Sequence, residues 1–341
     1  MSTPKKNILV IRLSAMGDVA MTIPVLQALT KQYSDLKITV LTKPFFKPLF
    51  RNIHNISVIS VDVQHTHKGV FGLYKLARVL NKSHRFYAIA DLHNVIRSKL
   101  LKLFITSKVV ATINKGRKEK QQLTSGKLFK PLKSTHQRYA DVFGALGYPV
   151  DLSNPSFPQP VTLKDDLKGL VGDRLSGFIG IAPFAAHEGK VYPLTLMEEV
   201  IKTLSTNYKI ILFGGGKDEA DLLVRWETSH SNTVALAGKL SLERELDIIS
   251  NLDVMLSMDS GNAHLAAMMG VKVVTIWGVT HPYAGFMPFN QPEDYALLSD
   301  KKAFPLIPTS VYGNIVPKGY EKAAASVLPD TVVDKIKAVV T

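Results

Sequence analysis

Short runs rich in β-branched residues alternate with amphipathic stretches along almost the whole chain. Few folds other than parallel sheets with crossover helices satisfy that alternation. Asn7–Leu13, Lys37–Leu41, Ile56–Val61, Tyr87–Asp91 and Val109–Ile113 read as strands. Asp18–Gln32 reads as a helix, with Val19, Ile23, Leu26 and Leu29 spaced for one buried face. Gly72–Asn81 and Val95–Phe104 are basic and compatible with helix. The alternation stops at Tyr148–Pro160, where Pro149, Pro155, Pro158 and Pro160 mark an extended linker. A second series follows. Its strands are Phe178–Ala182, Lys209–Phe213, Thr233–Ala235, Val254–Met258 and Val271–Ile276, and its helices are Pro193–Leu204, Lys217–Thr228, Leu242–Ser250 and Gly261–Met269. The pattern predicts two α/β domains, 1–160 and 161–328. A terminal helix, 329–341, carries Val332, Val333, Ile336 and Val339 on one side; it is placed either to pack on its own domain or to cross back to the first.

Charge distinguishes the two halves. Residues 1–150 carry 25 Lys and Arg against 6 Asp and Glu, a net +19, whereas 151–341 carry a net −5. Such asymmetry implies that the first half faces something anionic: a nucleic acid, an anionic membrane surface or a phosphorylated lipid. The chain has no cysteine, which excludes disulfides, thiolate metal sites and cysteine nucleophiles. No apolar run reaches the roughly 20 residues that a membrane-spanning helix needs. The basic start Met1–Asn7 leads into an apolar stretch too short for a signal-peptide core, so a cytoplasmic protein is expected.

Four segments carry potential chemistry. In the first, the strand ending at Leu13 runs through Ser14-Ala15-Met16 to Gly17-Asp18 at the mouth of a helix. Ligands bind at such strand ends in open α/β sheets. Asp18 there is either a helix cap or a general base. No Gly-x-Gly-x-x-Gly is present, so a dehydrogenase has little support. In the second, Pro183 to Pro193 again links a strand to a helix and holds Lys190, whose ammonium suits a diphosphate but equally suits solvent. In the third, Gly214-Gly215-Gly216 permits close backbone approach, and Asp218 or Glu219 can accept from ribose hydroxyls. The fourth, Asp259-Ser260-Gly261-Asn262-Ala263-His264, is the most specific. It sets unpaired backbone N–H groups and the positive end of a helix toward an anion, with His264 one turn in.

Together with Leu236-Ala237-Gly238-Lys239-Leu240 and Trp277-Gly278-Val279-Thr280, these segments resemble glycosyltransferase family 9, the lipopolysaccharide heptosyltransferases. The resemblance runs in order over nearly the whole chain. It implies a GT-B fold: α/β, two facing Rossmann-like domains with parallel sheets and an interdomain cleft. It further implies inverting transfer of a heptose or related sugar from an ADP-sugar to a lipopolysaccharide core or lipid A-type glycolipid. On this resemblance Asp18 is the base for the acceptor hydroxyl. Lys190 and the helix start at Ser260–Gly261 steady the departing diphosphate, with Asp259 and His264 beside them. Gly238 and Leu240 line the adenine pocket, Glu219 lies at the ribose, and Gly17 and Gly215 are counted with the donor contacts. No Asp-x-Asp stands at a strand end, so no obligatory cofactor or metal is expected. The anionic acceptor accounts for the basic first half, which is expected to hold the enzyme peripherally on the cytoplasmic face of the inner membrane. Ala185 and Ala186 stand where family members often carry a hydroxyl or an arginine.

Competing readings are a transferase of another nucleotide sugar, a sugar-nucleotide epimerase and a non-catalytic polyanion-binding protein. Nucleic acid is not expected as a partner, because the basic residues follow no recognisable nucleic-acid-binding signature.

Overall fold

The computed structural model describes residues 6–340, so the basic start before Lys6 lies outside the described residues. The chain forms two compact units. The first takes the chain up to Lys115 together with Thr135–Ser156; the second takes Gly116–Ser134 together with the chain from Phe157. The sequence placed one boundary at residue 160. The structure instead assigns 116–134 to the second unit, where Leu132 N–H bonds the Tyr283 carbonyl at 2.9 Å.

The first unit runs β1 (Asn7–Ile11), α1 (Met16–Ala20), α2 (Thr22–Gln32), β2 (Lys37–Thr42), β3 (Ile56–Ser60), α3 (Gly69–Ser83), β4 (Ala88–Asp91), α4 (Ile96–Phe104) and β5 (Val109–Thr112). α5 (Arg117–Thr124) counts with the second unit, and α6 (Thr135–Ala145) returns to the first. The sheet is wholly parallel, in the order β3-β2-β1-β4-β5. Right-handed crossovers put α3 and α4 on one face and α2 on the other. Accordingly Leu73, Leu76, Ala77 and Leu80 of α3 and Leu101 of α4 share one core with Leu9, Ile11 and Ile89, while α2 packs with α6. Because helices cover both faces, the central strands are apolar without alternation; Ile8 to Ile11 are all fully buried.

The single helix read over Asp18–Gln32 is two. Pro24 has no N–H to offer the Ala20 carbonyl and its ring crowds that position, so α1 ends at Ala20. Thr22 Oγ1 donates instead to the Val19 carbonyl at 2.7 Å.

The second unit continues with α7 (Asp165–Val171), β6 (Phe178–Ala182), α8 (Leu194–Leu204), β7 (Lys209–Leu212), α9 (Lys217–Ser229), β8 (Thr233–Ala235), α10 (Leu242–Ile249), β9 (Val254–Met258), α11 (Gly261–Met268), β10 (Lys272–Trp277), β11 (Ala296–Leu298) and α12 (Pro329–Val340). Its parallel sheet has the order β11-β10-β9-β6-β7-β8. The three-residue β11 escaped the sequence reading. It is too short to show a period and is defined by its pairing with Thr275–Trp277. The terminal helix packs on its own unit. Val332, Val333, Ile336 and Val339 join the core formed by Val200, Ile201 and Leu204 of α8, and Lys272 Nζ donates to the Val339 carbonyl at 2.6 Å.

Candidate active site

Each sheet reverses its winding once, between β1 and β4 in the first unit and between β6 and β9 in the second. At such a point adjacent loops diverge to opposite faces and leave a crevice at the carboxyl edge. Chemistry-bearing side chains gather at both.

In the first unit, Asp18 sits in the third position of α1. Its Oδ2 pairs with the Arg12 guanidinium and also accepts the Ala15 N–H at 3.3 Å. Arg12 is nearly buried, whereas the Asp18 side chain is about a third exposed and so remains reachable. Arg12 Nη1 donates across the switch point to the Leu92 carbonyl at 2.7 Å. His93 follows in the same loop. Its Nδ1 accepts the Leu13 N–H at 3.4 Å, which puts the ring proton on Nε2. Burial, reinforced by Arg12 and Lys115, pushes the His93 pKa down to about 4, so the ring is neutral near pH 7. Fully buried Tyr139 lies under this group and donates to the Asp18 carbonyl at 3.3 Å. At the end of β4, just before this loop, buried Asp91 is held by Lys102 at 2.8 Å and Ser98 at 3.0 Å. Gly17, one residue before Asp18, takes no special backbone conformation.

In the second unit, the loop after β6 brings Lys190 to the residue that follows β9. Lys190 Nζ lies 2.8 Å from Asp259 Oδ2, with the two side chains 14% and 5% exposed. Thr280 Oγ1, from the loop after β10, donates to the same oxygen at 3.0 Å. Two glycines make room for this convergence. A Cβ on Gly278 would stand 2.3 Å from the Gly189 carbonyl oxygen, and one on Gly313 would stand 2.5 Å from Lys190 Cγ. That carbonyl accepts the Val279 N–H at 2.8 Å, which fixes the Lys190 loop on the loop after β10.

Ser260 begins α11 in extended conformation, but its side chain does not cap the helix; Ser260 Oγ bonds Ser257 Oγ at 3.0 Å. Ser260, Gly261 and Asn262 are partly exposed, so the N–H groups of this first turn and the positive helix end are open to an anion. Buried His264 lies one turn in. Asp259, grouped from sequence with the donor contacts, turns its carboxylate to Lys190 and Thr280, and so holds the lysine at the mouth of α11.

After β7, Glu219 in the first turn of α9 reaches back to accept the Gly215 N–H through Oε2 at 2.7 Å. Gly238 after β8 needs its left-handed φ of 72° to make the turn that exposes it beside half-buried Leu240. Thus Lys190, Glu219, Gly238, Leu240 and Asp259 to His264 all stand on the carboxyl edge of one sheet, and Gly17 and Asp18 stand on that of the other. Arg12, His93, Tyr139 and Thr280 had no assigned role in the sequence. Thr280, His93 and Tyr139 find their partners 21, 80 and 121 residues away in the chain, beyond any local signal, whereas Arg12 meets Asp18 only six residues on. Among the described residues, no group of three or more His, Asp or Glu side chains is placed to hold a metal ion.

Comparison with known proteins finds relatives along most of the chain. The family model described as glycosyltransferase family 9 (heptosyltransferase) matches residues 73–303. The lipopolysaccharide core heptosyltransferase OpsX of Haemophilus influenzae is 25% identical over 311 residues, 87% of this chain and 86% of that protein. The crystal structure of a family 9 glycosyl transferase from Veillonella parvula superposes with a TM-score of 0.76 at 19% identity, covering 100% of this chain and 98% of that one. The E. coli ADP-heptose lps heptosyltransferase II superposes with a TM-score of 0.70 at 20% identity, covering 98% of both chains. With two parallel α/β sheets, a matching order of motifs and a family model that spans more than half of its length, the chain belongs to glycosyltransferase family 9, the heptosyltransferase family.

Proposed function

We propose that this protein is an inverting glycosyltransferase that moves a heptose, or a closely related sugar, from an ADP-sugar to an anionic glycolipid of the lipopolysaccharide core. The observation that carries this reading is Lys190, held by buried Asp259 beside the open first turn of α11 at the switch point of the second sheet. That arrangement presents one ammonium and a set of backbone N–H donors to a diphosphate. The relatives supply the donor and acceptor class: one is named a lipopolysaccharide core heptosyltransferase and another an ADP-heptose lps heptosyltransferase.

In the proposed displacement the acceptor hydroxyl oxygen forms a bond to the anomeric carbon as the bond from that carbon to the diphosphate oxygen breaks. The hydroxyl proton passes to the Asp18 carboxylate, and the electron pair leaves with ADP. Arg12 and the Ala15 N–H orient that carboxylate. Lys190 and the α11 N–H groups face the charge that develops on the leaving diphosphate. Glu219 is assigned to the ribose, Gly238 and Leu240 to the adenine, and His264 and Gly215 to the rest of the donor. The acceptor is a lipid, so the enzyme is proposed to work in peripheral contact with the cytoplasmic face of the inner membrane. Among the described residues no helix is long and apolar enough to cross a membrane.

The test is thermal stabilisation by ADP, UDP and GDP and by their sugar conjugates. A ligand at a hundred times its Kd stabilises by about 2.7 kcal/mol. Selective stabilisation by ADP and ADP-heptose is the expected result. Selective stabilisation by UDP or GDP would discard the heptose donor, and no response to any of them would discard the transferase.

A further inference from the structure

We propose that the outer face of α3 and α4 is a docking surface for an anionic phospholipid bilayer. This inference rests on the proposed lipid-borne acceptor and goes beyond it by naming the surface that meets the membrane.

Three observations converge on this face. The first is charge. Between Asp62 and Gly116 the first unit has 10 Lys and Arg but only one acidic residue, Asp91, which is buried and neutralised by Lys102. The outer side of α3 carries Lys75, Arg78 and Lys82, and that of α4 carries Arg97 and Lys99, all exposed and with no exposed carboxylate on either helix. A solvated protein surface ordinarily mixes the two signs.

The second is apolar exposure. Of the 17 large hydrophobic residues exposed over the described structure, eight lie between Val70 and Val110. Phe71 is 68% exposed, Val79 61%, Ile96 77% and Leu103 76%, each on the side of its helix away from the core. Single exposed hydrophobics are ordinary, but a cluster interleaved with cations is a membrane-interface pattern. Lys75 Nζ lies 4.5 Å from the Phe71 ring centroid, so ammonium and apolar ring are presented together.

The third is placement. α3 and α4 lie side by side on one face of the sheet. The Tyr74 and Phe104 rings meet at 5.5 Å, and Asn81 bonds both the Phe104 carbonyl and the Thr106 N–H at 2.9 Å. Their outer residues therefore form one surface. Both helices begin at the carboxyl edge of the parallel sheet, the edge from which Asp18 and His93 project. Phe71 and Ile96 stand in the first turns, nearest that edge. Docking this face would hold a bilayer-embedded acceptor close to the proposed base.

The experiment is co-sedimentation of the full chain with vesicles of phosphatidylcholine alone and of equal parts phosphatidylcholine and phosphatidylglycerol. Binding is expected only to the anionic vesicles, and it is expected to weaken as salt is raised. Each cation at such a surface contributes about fivefold in affinity, so K75E/R78E/K82E, which removes three cations and adds three carboxylates, is expected to bind at least about a hundredfold more weakly. K31E/K37E/K47E changes the net charge equally, but its positions lie outside α3 and α4 and are expected to matter far less. F71S/L103S is expected to lose about tenfold per side chain at unchanged salt dependence. Equal losses in the two charge-reversed variants would overturn the proposal, as would tighter binding of an oligonucleotide than of vesicles at the same salt. Transfer to a detergent-dispersed acceptor separates the two readings. Transfer without anionic vesicle binding would remove the surface and leave the transferase, whereas vesicle binding through this face without transfer would do the reverse.

Discussion

The Lys190–Asp259 pair gives the most direct quantitative test of the second site. At 2.8 Å and an effective dielectric of about 20, the two charges attract by about 6 kcal/mol. Bringing both out of water costs several kcal/mol each, so the pair as a whole contributes little net stability. Removing one partner is different. Asp259→Asn keeps an oxygen to accept from Thr280 but leaves the Lys190 ammonium buried without its counter-charge; Lys190→Met does the converse. Each single variant is expected to lose about 3–5 kcal/mol. The double variant is expected to lose about 1 kcal/mol, because neither charge remains. The chain has two tryptophans, and both Trp226 and Trp277 are buried in the second unit, so their fluorescence reports unfolding of that unit. For an m-value of about 2–3 kcal/mol/M, each single variant should lower the urea midpoint by about 1–2.5 M. Losses that add to within about 0.5 kcal/mol in the double variant would refute the coupling, and with it the account of Asp259 as the residue that holds the lysine.

Further outcomes follow from the same structure. Asp18→Asn is expected to slow transfer by about a hundredfold to ten-thousandfold while donor binding, read by thermal shift, is retained; near-normal transfer would remove the base. Burial, aided by Lys301, pushes the His281 pKa down to about 4, so the second unit should hold its full stability above about pH 6.5 and lose up to about 3 kcal/mol as the pH falls toward 4. His281→Asn, which keeps an acceptor for the Tyr283 N–H, should flatten that slope in urea titrations; an unchanged slope would rule the histidine out as its source. Gly278→Ala places a Cβ 2.3 Å from the Gly189 carbonyl oxygen and should cost about 1–3 kcal/mol while unseating Lys190; an unchanged midpoint and transfer rate would show that the close approach is unimportant.

The sequence by itself determined the architecture wherever the physical signal is local. The strands Phe178–Ala182, Thr233–Ala235 and Val254–Met258 were legible to the residue, and the helix Pro329–Val340 to within one. β-branched runs buried on both faces and amphipathic helices carry their periods in adjacent residues. The loops holding Asp18, Lys190, Glu219 and Ser260 were legible for the same reason: strand, small residues and helix follow one another directly. The break at Met21 was encoded locally too, by Pro24, but an otherwise continuous apolar period masked it. What only the tertiary structure decided is which of these residues meet. Sheet winding brings the loop after β6 against the residue following β9, and so turns Asp259 from a nominal donor contact into the partner of Lys190. It also brings the loop of Leu92 and His93 against Arg12 and Leu13, beside Asp18, through bonds that span 80 residues. The same applies to the surface proposed for membrane docking, because α3 and α4 become one basic, apolar face only when right-handed crossovers lay them on the same side of a sheet. Such contacts follow from topology, and topology is fixed by the packing of the whole unit, to which no short window of sequence has access.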